Sequence, residues 1–153
     1  MLAAIRPSDW NFPLYVHIGG ALMVVASLVV ASFAIFTARR RGDQPVTRFS
    51  ARVLTLVTFP SYIVMRVGAE IMVSKEHLKD SKDTWLGIGY GVSDIGVLLL
   101  LVGMVLTGLM ARKAGRGESV AHAVPLRIAG AITGLLLVAF FVAIWAMTTK
   151  PGS

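Results

Sequence analysis

The stretch from Trp85 to Met110 reads WLGIGYGVSDIGVLLLLVGMVLTGLM and decides the fold class. Its only charged side chain is that of Asp94. About 20 predominantly apolar residues are enough for a helix to cross the hydrocarbon core of a bilayer. We therefore interpret this stretch as a transmembrane helix.

Three further apolar stretches of similar length accompany it. Of the 153 residues, 56% are hydrophobic and 15% are charged, whereas a soluble domain usually carries about 25% charge. The sequence predicts an all-α fold, a polytopic membrane protein whose single domain (residues 1–153) is an antiparallel bundle of four transmembrane helices. The helices are expected at residues 14–37, 49–73, 85–110 and 126–148.

The net charge of +7 is distributed unevenly between the loops. Loops rich in lysine and arginine stay on the cytoplasmic side, which predicts that both termini lie outside. The lipid bilayer is the expected partner, together with a homo-oligomer or a larger membrane complex, and the distribution argues against nucleic acid. Nine basic residues fall in the two loops predicted to be cytoplasmic: Arg39, Arg40, Arg41, Arg48, Arg52, Arg112, Lys113, Arg116 and Arg127.

Several chemistries are excluded or disfavoured by what the sequence lacks. The chain contains no cysteine, so disulfides, thiol catalysis and cysteine metal sites are excluded. It also has no P-loop, no dinucleotide-binding glycine pattern, no G-x-S-x-G and no H-E-x-x-H. The sequence therefore favours a non-enzymatic protein.

Four ionisable residues lie inside the apolar stretches: His17, Arg66, Glu70 and Asp94. A charged group in a lipid-spanning helix is costly, so it normally faces the bundle interior and has a partner. At a rise of about 1.5 Å per residue, all four fall in the outer half of the membrane. We therefore expect them to converge on one site.

Helical spacing aligns these residues with two tyrosines. Tyr62, Arg66 and Glu70 are four residues apart and share one face of the second helix, and Tyr90 and Asp94 share a face of the third. We expect the two faces to be buried against each other and against the histidine, with Arg66 bridging both carboxylates. The predicted ligand or ion pocket comprises His17, Tyr62, Arg66, Glu70, Tyr90 and Asp94.

The charge of this pocket leaves several interpretations open. One arginine against two carboxylates gives a formal charge of −1 when the histidine is neutral, which a proton or a cation would offset. His17, Glu70 and Asp94 are also suitable ligand types for a divalent metal. A haem with His17 as axial ligand, a proton relay, and a purely structural network are the other interpretations.

Two further patterns concern the shape of the bundle. Pro60 removes a backbone hydrogen bond from the second helix and predicts a kink near Leu56 to Pro60. Small residues at a spacing of four allow close helix packing in lipid. The predicted packing positions are Gly87, Gly91, Gly130 and Gly134.

Short segments of the chain resemble a known family. They are the stretch from Ser8 to Ala21 (SDWNFPLYVHIGGA), Met65 to Glu70 (MRVGAE), Trp85 to Gly89 (WLGIG), and the pair Ser93-Asp94. Together they resemble uncharacterised small four-helix membrane proteins, mainly actinobacterial, which are distantly similar to the copper-resistance D-type membrane proteins. The resemblance implies a bacterial plasma-membrane location, and it marks His17 as the candidate metal or haem ligand.

Three functional hypotheses follow. The leading one is a small non-enzymatic membrane protein with an ion-paired polar pocket, acting as an accessory subunit or as a binder of a small ligand or ion. The alternative is a metal- or haem-binding membrane protein of the copper-resistance or cytochrome type. The third is a proton- or ion-coupled transporter.

Overall fold

A computed structural model of the chain describes residues 11–75 and 83–149. Its four helices are long and apolar enough to cross a membrane, which indicates a multi-pass membrane protein, and the described residues contain no strand. Each helix extends one to five residues beyond the predicted apolar stretch, because hydropathy does not mark the polar turns at helix ends. The helices are α1 (Asn11–Arg41), α2 (Gln44–Lys75), α3 (Thr84–Gly115) and α4 (Val124–Thr149).

The helices form an antiparallel bundle. The first helix packs along α2 and α4, and α3 packs along α4. The first part of α2 (Gln44–Val53) also lies against α3, whereas its second part (Phe59–Lys75) makes few backbone approaches to α3. The largest fully buried apolar side chains along the bundle are those of Leu28, Ile35, Leu54, Leu126 and Leu136.

The closest approach between α1 and α2 depends on two glycines. A Cβ atom on Gly20 would lie 2.6 Å from the backbone nitrogen of Met65. A Cβ atom on Gly68 would lie 2.8 Å from the backbone nitrogen of His17. Real Cβ atoms essentially never come that close. The absence of a side chain at these two positions therefore sets the separation of the two helices.

The predicted packing glycines lie mostly away from the close approaches within the chain. A Cβ atom on Gly87, Gly91 or Gly134 would meet no atom of residues 11–75 or 83–149 within 4 Å, so these three positions do not lie at a close helix approach within the described part of the chain. Gly130 alone lies at a contact, where its Cβ would be 3.4 Å from Cγ2 of Ile35. A spacing of four residues cannot tell which face of an apolar helix turns inward, and here it selected mostly outward faces.

The second helix is distorted at the place where Pro60 predicts a disturbance. The five residues Leu54–Thr58 form a π-helical segment. The backbone N–H of Phe59 donates to the carbonyl of Leu54, five residues earlier. The hydroxyl of Thr58 donates to the carbonyl of Val53 at 3.3 Å, again five residues earlier. Such segments are frequent at functional sites, and this one separates two parts of α2 that contact different neighbours.

The basic end of the bundle is closed by its loops. Gly42 ends α1 with a φ of +70°, a left-handed conformation that favours glycine. The loop between α3 and α4 folds back onto α1, where the N–H of His122 donates to the carbonyl of Arg39 at 3.0 Å. Val120 in the same loop is buried in a small apolar cluster with Leu126. These contacts hold the arginine-rich helix ends next to one another.

Candidate functional site

Arg66 lies at the centre of the polar cluster at the other end of the bundle. Its Nη2 atom lies 3.1 Å from Oε1 of Glu70, one turn further along α2, and 3.0 Å from Oδ1 of Asp94 on α3. The guanidinium also stacks over the ring of Tyr90, 4.6 Å from the ring centroid. The bridge expected from the sequence is present, because the planar guanidinium presents several donors and can reach two carboxylates at once.

The two tyrosines tie the same helices together. The hydroxyl of Tyr90 donates to Oε2 of Glu70 at 3.3 Å. The hydroxyl of Tyr62 donates to the backbone carbonyl of Ser93 at 3.0 Å, and Tyr62 is only 4% exposed. Since Ser93 immediately precedes Asp94, the hydrogen bond from Tyr62 helps to hold the aspartate in register with Arg66.

The sequence predicts that the two carboxylates are buried between the helices. In the structure they are not. The side chains of Arg66, Glu70 and Asp94 are 25%, 47% and 63% exposed on the bundle surface. The physical reason is that the second part of α2 (Phe59–Lys75) and α3 make few backbone approaches and are joined by long polar side chains instead of close backbone packing. The cluster is therefore an accessible surface group with one guanidinium and two carboxylates.

The gap between the helices contains a small cavity of about 80 Å³. A site of this size has room for a few water molecules. Arg66 and Tyr90 form part of its wall, so the cavity adjoins the ion-paired cluster. The rest of the wall is largely apolar and comes from all four helices, with His17, Met65, Met72, Trp85 and Met147 among its residues.

His17 lies on this cavity and not within the ion-paired cluster. Its Nδ1 atom is 2.9 Å from the backbone carbonyl oxygen of Met65. A carbonyl oxygen can only accept a hydrogen bond, so Nδ1 is the donor in this contact, and Nε2 is the acceptor nitrogen of the neutral ring. The close approach at Gly20 and Gly68 brings His17 within reach of this carbonyl. The structure thus brings five of the six predicted pocket residues together and places the sixth beside them.

The predicted metal ligands are not assembled as a set. Among residues 11–75 and 83–149, no three His, Cys, Asp or Glu side chains are arranged to hold a metal ion. Glu70 and Asp94 share Arg66 as their partner, while His17 is bonded to the backbone of α2. The set of His17, Glu70 and Asp94 therefore gains no support from the geometry.

The predicted cytoplasmic half of the bundle does not extend the polar network. The buried hydroxyls of Thr58, Thr107 and Thr133 each donate to a carbonyl of their own helix. Apolar side chains such as Leu28 and Leu100 fill the space between them. The transporter hypothesis gains no support from this half.

Sequence reasoning missed the cavity and the part that methionine plays in its wall. Met65, Met72 and Met147 all lie in this wall, and none of them was among the predicted pocket residues. A signal was available, because Met65 and Met72 are seven residues apart and so lie close to one face of α2. That Met147 of α4 reaches the same wall depends on how the helices pack, and no pattern in the sequence around Met147 indicates it.

Comparisons with known proteins do not identify a relative of this chain. No family model matches the chain, and no curated protein or solved structure matches it. The resemblance to small actinobacterial membrane proteins therefore stays a prediction, and the function has to be argued from the site.

Proposed function

We propose that this chain is a small non-enzymatic integral membrane protein that binds a cationic group at the cluster of Arg66, Glu70 and Asp94. The observation that carries the proposal is the charge of this exposed cluster, which holds two carboxylates against a single guanidinium. The cationic group would be an ion or small ligand, or a basic side chain of a larger complex in which the chain is an accessory subunit.

The position of the cluster along the helices supports this proposal. Glu70 is 18 residues from Arg52 on α2, and Asp94 is 18 residues from Arg112 on α3. At 1.5 Å per residue each separation is about 27 Å, close to the roughly 30 Å thickness of the hydrocarbon core. With the arginines at the cytoplasmic boundary, the carboxylates lie near the outer boundary, within reach of water.

The same argument sets the orientation that we propose. Both arginine-rich loops stay in the cytoplasm, because such loops are not readily translocated. Both termini are then outside, and the membrane is the bacterial plasma membrane. The cluster faces the exterior, where free cations and cationic ligands are available to it.

The test is a thermal unfolding assay on protein purified in a neutral detergent. Na⁺, K⁺, Mg²⁺, Ca²⁺ and ethanolammonium would each be compared with N-methylglucammonium at equal ionic strength. A cation present at a hundredfold excess over its Kd stabilises the folded state by about 2.7 kcal/mol, which corresponds to several degrees in Tm. We expect at least one cation to raise the Tm of the wild type by this amount.

Two variants locate the effect. Asp94→Asn removes the most exposed carboxylate of the cluster and should abolish the stabilisation. Asp43→Asn is the matched control, because Asp43 precedes α2 at the opposite end of the bundle, and it should respond like the wild type. Equal stabilisation of both variants would refute binding at the cluster. If none of the cations raises the Tm, the cationic group has to be a basic side chain of a partner protein. That form of the proposal requires a basic residue of the partner to cross-link to position 94.

A second candidate function is supported by the wall of the cavity. Three thioether side chains, from Met65, Met72 and Met147, lie around one space together with His17. Thioethers select soft ions such as Cu(I). A histidine that binds a metal usually donates its other ring N–H to a carbonyl or a carboxylate, as Nδ1 of His17 does here. This donor set fits a metal-binding protein of the copper-resistance type better than the predicted carboxylate set does.

The cavity size separates copper from haem. A space of about 80 Å³ accepts a single ion, whereas pockets for small molecules and cofactors usually measure roughly 300–1,000 Å³. We propose Cu(I) as the ion for this second function. The measurement is competition with a chromogenic Cu(I) chelator, in which Met72→Leu should weaken binding and Met104→Leu, outside the cavity wall, should not. Equal retention of copper by both variants would refute this site.

A further inference from the structure

An open cleft of about 660 Å³ lies at the basic end of the bundle, between the start of α2 and the end of α3. Four arginines line it, in two pairs. Arg48 and Arg52 are one turn apart on α2, whereas Arg112 lies in the last turn of α3 and Arg116 directly follows that helix. Four of the nine basic residues at this end of the molecule therefore converge on a single space, although topology alone would not require them to do so.

Most of this positive charge has no partner within the described part of the chain. Arg116 pairs with Glu118 at 2.8 Å. The side chains of Arg48, Arg52 and Arg112 make no hydrogen bond or ion pair with any residue of 11–75 or 83–149. Like charges one turn apart destabilise a helix, so an anion seated between the pairs would relieve the repulsion between Arg48 and Arg52 on α2. Guanidinium groups suit phosphate in particular, because their parallel N–H donors match its oxygens.

The deeper wall of the cleft is apolar. It includes Leu56, which is 68% exposed, and the small side chains of Ala51 and Ala111. Leu56 belongs to the π-helical segment of α2, and Thr55 of that segment also lines the cleft. A charged rim above an apolar wall matches an amphiphile with a phosphate headgroup and acyl chains better than it matches a free phosphate.

We propose that this cleft is a binding site for a phospholipid that carries two phosphate groups, of the diphosphatidylglycerol type. One phosphate lies against Arg48 and Arg52 and the other against Arg112 and Arg116, with the acyl chains following Leu56 toward the core of the membrane. Basic pockets between transmembrane helices on the cytoplasmic side commonly hold such headgroups. This site is separate from the outer cluster and does not depend on the function proposed for it.

The experiment is native mass spectrometry of delipidated protein in a neutral detergent, titrated with separate probes. The probes are diphosphatidylglycerol, phosphatidylglycerol, phosphatidylcholine and sodium pyrophosphate. We expect one diphosphatidylglycerol to bind per chain, more tightly than phosphatidylglycerol, with no specific binding of phosphatidylcholine. Equal affinity for the one-phosphate and two-phosphate lipids would overturn the proposal. So would full competition by pyrophosphate, since the site would then recognise free phosphate and not a lipid.

A matched pair of double variants tests the location. Arg48→Gln/Arg112→Gln removes one arginine from each side of the cleft. Its affinity for diphosphatidylglycerol should fall by roughly thirtyfold, since each basic residue near an anionic lipid contributes about fivefold. Arg41→Gln/Lys113→Gln removes the same charge at the same end, outside the cleft, and should change the affinity by less than about threefold. Equal losses in the two variants would show a diffuse charge effect and overturn the site.

Discussion

Replacing Gly20 with alanine should push α1 away from α2 and destabilise the bundle. The new Cβ atom would lie 2.6 Å from the backbone nitrogen and 2.8 Å from the Cα atom of Met65. Ordinary van der Waals contact begins at 3.4 Å. Backbone atoms cannot rotate away as a side chain can, so the helices must separate by the shortfall of about 0.8 Å.

The change in the free energy of unfolding combines a packing loss and a gain in helix propensity. A gap of 0.5–1 Å forfeits about a quarter to a half of the dispersion energy between the atoms that face it, and inserted methyl groups in well-packed interiors typically cost about 1–3 kcal/mol. Alanine returns up to about 1 kcal/mol through its better helix propensity. The free energy of unfolding should therefore fall by up to about 2 kcal/mol in Gly20→Ala, and Gly20→Ala should be less stable than a glycine-to-alanine change without a clash by about 1–3 kcal/mol.

The adjacent residue supplies the control. A Cβ atom on Gly19 would meet nothing within 4 Å, so Gly19→Ala gains helix propensity without a clash and should be as stable as the wild type or slightly more so. Both variants would be unfolded by titrating dodecyl maltoside micelles with sodium dodecyl sulfate and followed by far-ultraviolet circular dichroism. Equal midpoints for the two variants would refute the close approach of α1 and α2 at Gly20.

Four further substitutions can be followed by the same titration. Tyr62→Phe removes the hydrogen bond to the carbonyl of Ser93 and should lower stability by about 1 kcal/mol, so an unchanged midpoint would contradict that bond. Gly42→Ala places a side chain at a φ of +70° and should cost about 1–2 kcal/mol; a stabilising effect would contradict this conformation. Arg66→Gln should lower the free energy of unfolding by about 1 kcal/mol, because the two carboxylates that Arg66 pairs with are half exposed. Asp94→Asn should then lower the stability of the Arg66→Gln variant by less than it lowers the stability of the wild type. Additive losses would argue against their ion pair.

The sequence predicted the features that depend on one helix at a time. The apolar stretch from Trp85 to Met110 is long enough to cross a bilayer wherever its neighbours lie, so the number of helices follows from hydropathy. The ion pair within α2 follows from a spacing of four residues between Arg66 and Glu70. The bridge to Asp94 needed only one additional assumption, that consecutive helices are antiparallel neighbours.

What the sequence did not predict depends on how each helix is rotated about its axis. A helix that is apolar on every side carries little pattern to mark its packing face. For this reason Gly87 and Gly91 were predicted as packing positions although neither lies at a close approach within the described residues, while Gly68 was overlooked. The exposure of Glu70 and Asp94 was missed for the same reason, because spacing aligns side chains with one another but not with the bundle interior.

The π-helical segment Leu54–Thr58 has a consequence for the two ends of α2 considered together. In an α-helix, one residue corresponds to about 100° of rotation about the axis. If the same residues formed a regular α-helix instead, the part after Pro60 would turn relative to the part before Val53, because a π-helical turn takes up one residue more than an α-helical turn. Arg66 would then point away from Asp94 while Arg48 and Arg52 kept their places beside α3. The segment thus sets the angular phase that allows one helix to present charged groups correctly at both membrane surfaces.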